Sequence, residues 1–184
     1  VVNQPSISLA GSDQTVCANN SLVTLSGSVT GCSSTGIWTT SGTGIFSPND
    51  TNLTPTYTPS SLDSTNGSVT LTLTTTNNGA CVPNASSIVI TITPAPSVSA
   101  STDVIVCGNN AVVNLAGSVT GGTTTGVWTT SGTGTFAPSN TTLNAVYTPS
   151  AAEITAGTVT LTLTSTNNGT CFPVSDQLVI TITH

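Results

Sequence analysis

Val69-Thr-Leu-Thr-Leu-Thr74 alternates apolar and hydroxyl side chains without a break, and the same six residues return as Val159–Thr164. A period of two puts Val69, Leu71 and Leu73 on one face of a strand and Thr70, Thr72 and Thr74 on the other. Ile88, Ile90 and Ile92 alternate in the same way. Val23, Leu25 and Val29 read as one strand relieved by Gly27, and Leu53, Pro55 and Tyr57 as a weaker one whose proline suggests an edge. Gly, Asn, Pro and Ser punctuate these runs, and Asn78-Gly79 suits a tight turn between the last two strands. No window has helical periodicity.

The repetition extends over the whole chain. Cys17, Trp38, Tyr57 and Cys81 reappear ninety positions later as Cys107, Trp128, Tyr147 and Cys171. Trp38-Thr-Thr-Ser-Gly-Thr-Gly44 returns as Trp128–Gly134, and Asn77-Asn-Gly79 as Asn167–Gly169. The expectation is an all-β chain of two tandem Ig-like β-sandwich domains arranged end to end, 1–94 and 95–184, joined around the stiff Pro94-Ala-Pro96. Trp38, Trp128, Tyr57 and Tyr147 are the expected core anchors. Trp38 and Trp128 could instead stack on sugar, but a repeat-matched place in an alternating strand favours packing.

Composition narrows the function. The 184 residues contain no Lys or Arg, six acidic residues and one His, a formal net charge of −6. Without cations the chain lacks what nucleic-acid backbones and anionic headgroups require. Schiff-base chemistry, phosphate clamps and Lys–Asn cross-links need residues that are absent. No apolar run approaches the ~20 residues of a membrane span, so no direct membrane insertion is expected. With mean hydropathy at +0.27, solubility must come from Thr, Ser and Asn. The lack of Met and of a signal peptide suggests an excerpt of something longer.

Five cysteines point to an oxidising, extracellular compartment. One connectivity staples each repeat, as Cys17–Cys81 and Cys107–Cys171. Strand order objects to it: in an Ig-type sandwich Cys17 follows the first strand and Cys81 the sixth, at opposite poles. The other connectivity is inter-repeat, Cys17–Cys171. Cys32, replaced by Gly122 in the second repeat, is unpaired or forms a local bridge to Cys81. Spacing offers no metal site and no cofactor is expected. Asp13 and Asp103 match between repeats but lack acidic neighbours, so they cap turns rather than hold calcium. No pair of acids stands at a spacing suited to glycosidase chemistry.

Thr15-Val-Cys17, Gly36-Ile-Trp38, Tyr57-Thr-Pro59, Gly67–Thr74 and Asn78-Gly-Ala-Cys81 resemble the Ig-like, PKD-like repeats of large Bacteroidota cell-surface adhesins, among them gliding-motility adhesins exported by the type IX system. That resemblance implies a non-catalytic stalk segment at the cell surface, with neighbouring repeats of the same or adjacent chains as partners and surface polysaccharide as a possible ligand. Asp63-Ser64-Thr65 resembles the O-glycosylation motif of that phylum, which makes Ser64 a candidate for glycan. Typical PKD domains carry acidic residues after the Trp, where this chain has Thr39–Gly44. The alternatives are a carbohydrate-binding accessory module and a self-polymerising filament subunit.

Overall fold

The computed structural model describes residues 4–184 and divides into two compact units, Val1–Pro94 and Ala95–His184. In the first unit the strands are β1 (Ile7–Leu9), β2 (Gln14–Cys17), β3 (Val23–Thr24), β4 (Ser28–Thr30), β5 (Thr35–Thr40), β6 (Ile45–Ser47), β7 (Thr56–Thr58), β8 (Ser68–Thr76) and β9 (Ala85–Thr93). Helix α1 (Ser61–Asn66) separates β7 from β8. The second unit repeats the pattern with β10 (Ser97–Ser99), β11 (Val104–Cys107), β12 (Val113–Asn114), β13 (Ser118–Thr120), β14 (Thr125–Thr130), β15 (Thr135–Ala137), β16 (Val146–Thr148), α2 (Ala151–Ala156), β17 (Thr158–Thr166) and β18 (Ser175–Thr183).

In each unit a four-stranded sheet, β2-β9-β8-β5 or β11-β18-β17-β14, is complemented by a three-stranded sheet, β3-β7-β6 or β12-β16-β15, and a short pair, β1-β4 or β10-β13. The first strand of the large sheet runs parallel to the last, with Cys17 opposite Thr93 and Cys107 opposite Thr183. The alternation of β8 decides which face is inside. Val69, Leu71 and Leu73 are buried, while Thr70, Thr72 and Thr74 stay half-exposed on the outer face. Thr keeps strand propensity there and takes hydrogen bonds without charge. Ile88, Ile90 and Ile92 of β9 enter the same core, and full burial of each such side chain contributes about 1.5–3 kcal/mol.

Several sequence expectations change in detail. Val23, Leu25 and Val29 do not share one strand. The chain leaves β3 at Thr24 and enters β4 at Ser28 because Gly27 is pinned in between, its N–H donating to the Leu53 carbonyl at 3.0 Å. A Cβ on Gly27 would come within 2.7 Å of both Leu53 O and Trp38 Cζ2. Tyr57 lies on the central strand of its sheet, and Pro55 stands just before that strand rather than on an edge. Residues 77–84 connect β8 to β9, a longer connection than a two-residue hairpin. The helices α1 and α2 are the one element type that periodicity did not announce.

Candidate functional site

Each unit buries one carboxylate, and the cap of its helix explains why. Ser60 and Ser150 cap α1 and α2 with their side chains, and Asp63 and Glu153 reach back to the capping residues' N–H groups, completing reciprocal capping boxes. Gly67 and Gly157 end the helices in the left-handed region, at φ 76° and 75°. A six-residue helix therefore has one function visible in its geometry, which is to deliver an acid inward.

Asp63 is 1% exposed. Its Oδ1 accepts from the Thr43 N–H at 3.0 Å, and its Oδ2 from Gly44 N–H, Ser60 N–H and the Tyr57 hydroxyl at 3.0, 3.0 and 2.9 Å. Glu153 does the same with one more methylene. Tyr147 and Thr130 donate to Oε1 at 2.7 and 3.2 Å, and Ser150 N–H donates to Oε2 at 2.6 Å. Thr40 and Thr130 hydroxyls also meet the Tyr57 and Tyr147 hydroxyls, at 2.9 and 2.7 Å. Gly42 and Gly132 are required beside these acids, because a Cβ at either would land on a carboxylate oxygen.

Burial acts to raise both carboxyls, but the hydrogen bonds outweigh it. Donation from the Ser60 and Thr43 N–H groups and from Tyr57 holds Asp63 below its ordinary value. Tyr147 and the Ser150 and Gly134 N–H groups hold Glu153 down in the same way. Burial first, and the facing carboxylate second, push Tyr57 upward and Tyr147 up to about 12. A carboxylate surrounded by donors and held ionised is a structural tie, joining the loop after β5 to the helix. Its oxygens are committed to neighbouring donors of the same repeat.

The remaining candidates divide between core and pole. Trp38 and Trp128 are buried, with their indole N–H groups donating to Leu53 and Leu143 carbonyls at 3.2 and 3.1 Å. Phe46 lies between Trp38 and Tyr57, at centroid distances of 6.4 and 5.0 Å. Neither Trp presents a ring face to solvent. Asp13 and Asp103 accept from the Val89 and Val179 N–H groups at 2.8 and 2.9 Å, each tying the segment before β2 or β11 to the neighbouring strand β9 or β18. Ser64 is half-buried within α1 and donates to the Ser60 carbonyl at 3.0 Å. Among the described residues no three of His, Cys, Asp and Glu gather as a metal site would need. No helix there is long and apolar enough to cross a membrane.

The cysteines correct one expectation. Cys32 is bonded to Cys81, with Cα atoms 6.3 Å apart, so Cys81 is not joined to Cys17. Cys107 is an exposed free thiol, so Cys107–Cys171 is not formed either. The parallel pairing in each large sheet supplies the reason. Cys17 sits beside the last residue of β9, whereas Cys81 precedes its first, and the strand between them spans about 25 Å. A disulfide needs Cα atoms within ~7 Å. Cys32 lies instead in the turn before β5, whose first residue pairs with the last residue of β8, next to the segment that carries Cys81. Neither Cys17 nor Cys171 is a free thiol.

Comparison with known proteins speaks to the fold. The chain superposes on immunoglobulin domains 1–4 of Sidekick-1 with a TM-score of 0.50 at 15% identity, covering 99% of this chain and 50% of that one. It superposes on the I-band fragment I67–I69 of titin with a TM-score of 0.51 at 12% identity, covering 97% and 65%. The fold is immunoglobulin-like. The chain spans half the length of the first of these structures and under two thirds of the second. No family model matches the sequence, and no curated protein does.

Proposed function

We propose that this chain is a structural repeat segment of a long extracellular adhesin or surface filament, serving as a rigid, protease-resistant stalk rather than a catalyst. The observation that carries the reading is the buried carboxylate tie. Among the described residues the two buried acids, Asp63 and Glu153, are consumed in holding a loop to a helix, at the same place in both repeats. An Ig-like unit repeated in tandem suits a linear array whose stability is roughly a sum over repeats and their junctions. The Cys32–Cys81 bridge fits an oxidising exterior. The absence of Lys and Arg removes every trypsin-type cleavage site. The reading takes from the motif resemblance a surface adhesin of the Bacteroidota gliding-motility type, exported by the type IX system. Its partners are then neighbouring repeats, with surface polysaccharide met through many weak polar contacts.

Cysteine placement supports a covalent junction between repeats. Cys17 has no cysteine left in its own repeat, and Cys171 stands about one strand length from Cys107. The connectivity we propose is Cys17–Cys171. Peptide mapping without reduction checks it: a Cys17–Cys171 peptide is expected, and a Cys107–Cys171 peptide contradicts it.

The rival carbohydrate-module reading is tested on a glycan array. The stalk reading expects no saturable binding by the isolated chain. Micromolar binding to one glycan class, lost on changing surface hydroxyl residues but not core ones, would replace it.

A further inference from the structure

Each repeat carries one cysteine at each pole of its large sheet. Cys17 and Cys107 stand where the first strand of the sheet ends, beside Thr93 and Thr183. Cys81 and Cys171 stand in the segment before the last strand. Cys32 is the fifth, with no counterpart, since the second repeat has Gly122 there. The states of these five are unequal in an ordered way. Cys17 is fully buried and disulfide-bonded, while its repeat partner Cys107 is exposed and free. Cys171 is bonded without any cysteine at the place of Cys32, while Cys81 is closed by Cys32.

Two observations meet here. The position of Cys107 is one at which this fold already makes a disulfide, as Cys17 demonstrates in the same strand register. The chain also holds, at the opposite pole of its first repeat, a half-buried disulfide whose Cys81 occupies the connecting place. We propose that Cys107 of one molecule joins Cys81 of a second copy by thiol–disulfide exchange, and that Cys32 is the cap that this exchange displaces.

The step balances without an oxidant. The Cys107 thiol loses its proton, and its thiolate attacks Sγ of Cys81. The Cys81–Cys32 bond breaks as the Cys107–Cys81 bond forms, and the leaving Cys32 thiolate takes up a proton. One disulfide is consumed and one made, and each link still leaves one free thiol. The opposite poles of a joined molecule remain reactive, so the product is a head-to-tail chain rather than a closed dimer. The local bridge acts as a protecting group that keeps one copy unlinked to the next until a neighbour's thiol arrives.

The test is incubation of the concentrated chain with oxygen excluded, followed by gel separation without reduction and mapping of the linked peptides. The expected result is a ladder of covalent oligomers carrying the Cys107–Cys81 peptide, with alkylation by iodoacetamide moving from Cys107 to Cys32. Cys107→Ser should abolish the ladder with an unchanged melting temperature. Cys32→Gly, which copies the second repeat, removes the bond that is attacked. It should give no ladder until an oxidant is added. A wild-type chain that stays monomeric overturns the proposal, whichever cysteine is then alkylated. So does a ladder persisting in Cys107→Ser, a ladder from Cys32→Gly without oxidant, or a link mapped to any other cysteine. Failure here leaves the stalk reading standing, because that reading rests on the carboxylate ties and not on Cys107.

Discussion

Truncating Asp63 to Ala would remove the acceptor shared by the Tyr57 hydroxyl and the N–H groups of Thr43, Gly44 and Ser60, leaving Tyr57 its Thr40 contact and Gly44 its bond to Tyr57. Each unsatisfied buried group costs about 1–3 kcal/mol. A loss of ~3 kcal/mol or more is therefore expected, read as a drop in the melting temperature of the first repeat by calorimetry. Glu153→Ala should do the same to the second. The pH dependence has a definite sign. Both carboxyls are depressed in the folded state, so the unfolded chain binds protons first as pH falls. Their stabilisation is complete above the ordinary carboxylate range near ~4 and is lost as pH falls through the folded values. An acid titration followed by circular dichroism should show this limb, and it should flatten in the Asp63→Asn, Glu153→Gln double variant. The phenols act at the other extreme. Their raised values add stability that is full below ~10 and is lost as pH rises toward about 12 for Tyr147.

At the scale of elements, the helix and the loop after β5 or β14 depend on each other through that acid. Gly132→Ala would drive a Cβ onto the Glu153 carboxylate, so the variant must break the tie or move the loop after β14. The expected outcome is faster amide hydrogen exchange at Gly134 and Ser150, with β17 and β18 still protected. Ser150→Ala should cost about 1 kcal/mol through the lost cap. The strands were legible because β8 and β17 alternate strictly and Ile88, Ile90 and Ile92 follow the same rule. The helices were not, since six residues are too few to express a 3.6-residue period. Ser60-x-x-Asp63 and Ser150-x-x-Glu153, each followed by a closing glycine, are the signal that could have found them. Asp63 and Glu153 align in sequence, but their inward aim depends on Tyr57 and Tyr147 being in a central strand, and the proline before Tyr57 pointed to an edge. The separation of Cys17 from Cys81 was readable from strand order. The choice of Cys32 as partner was not, because it depends on the turn before β5 lying beside the end of β8.

Over the whole molecule, packing, buried ties and disulfides stand in for ionic rigidity. Closing the 49-residue separation between Cys32 and Cys81 contributes about 4 kcal/mol on the chain-entropy argument. Selective loss of that bridge in Cys32→Gly should lower the first calorimetric transition and spare the second. The stalk reading is tested most directly by pulling single molecules between their termini. With Cys17 and Cys171 joined, only the 16 residues before and the 13 after that bridge can extend, about 100 Å of chain. Reduction should release two further unfolding events, each lengthening the chain by about 260 Å, from residues 18–94 and 95–170. An oxidised molecule that already shows both long events would contradict the account.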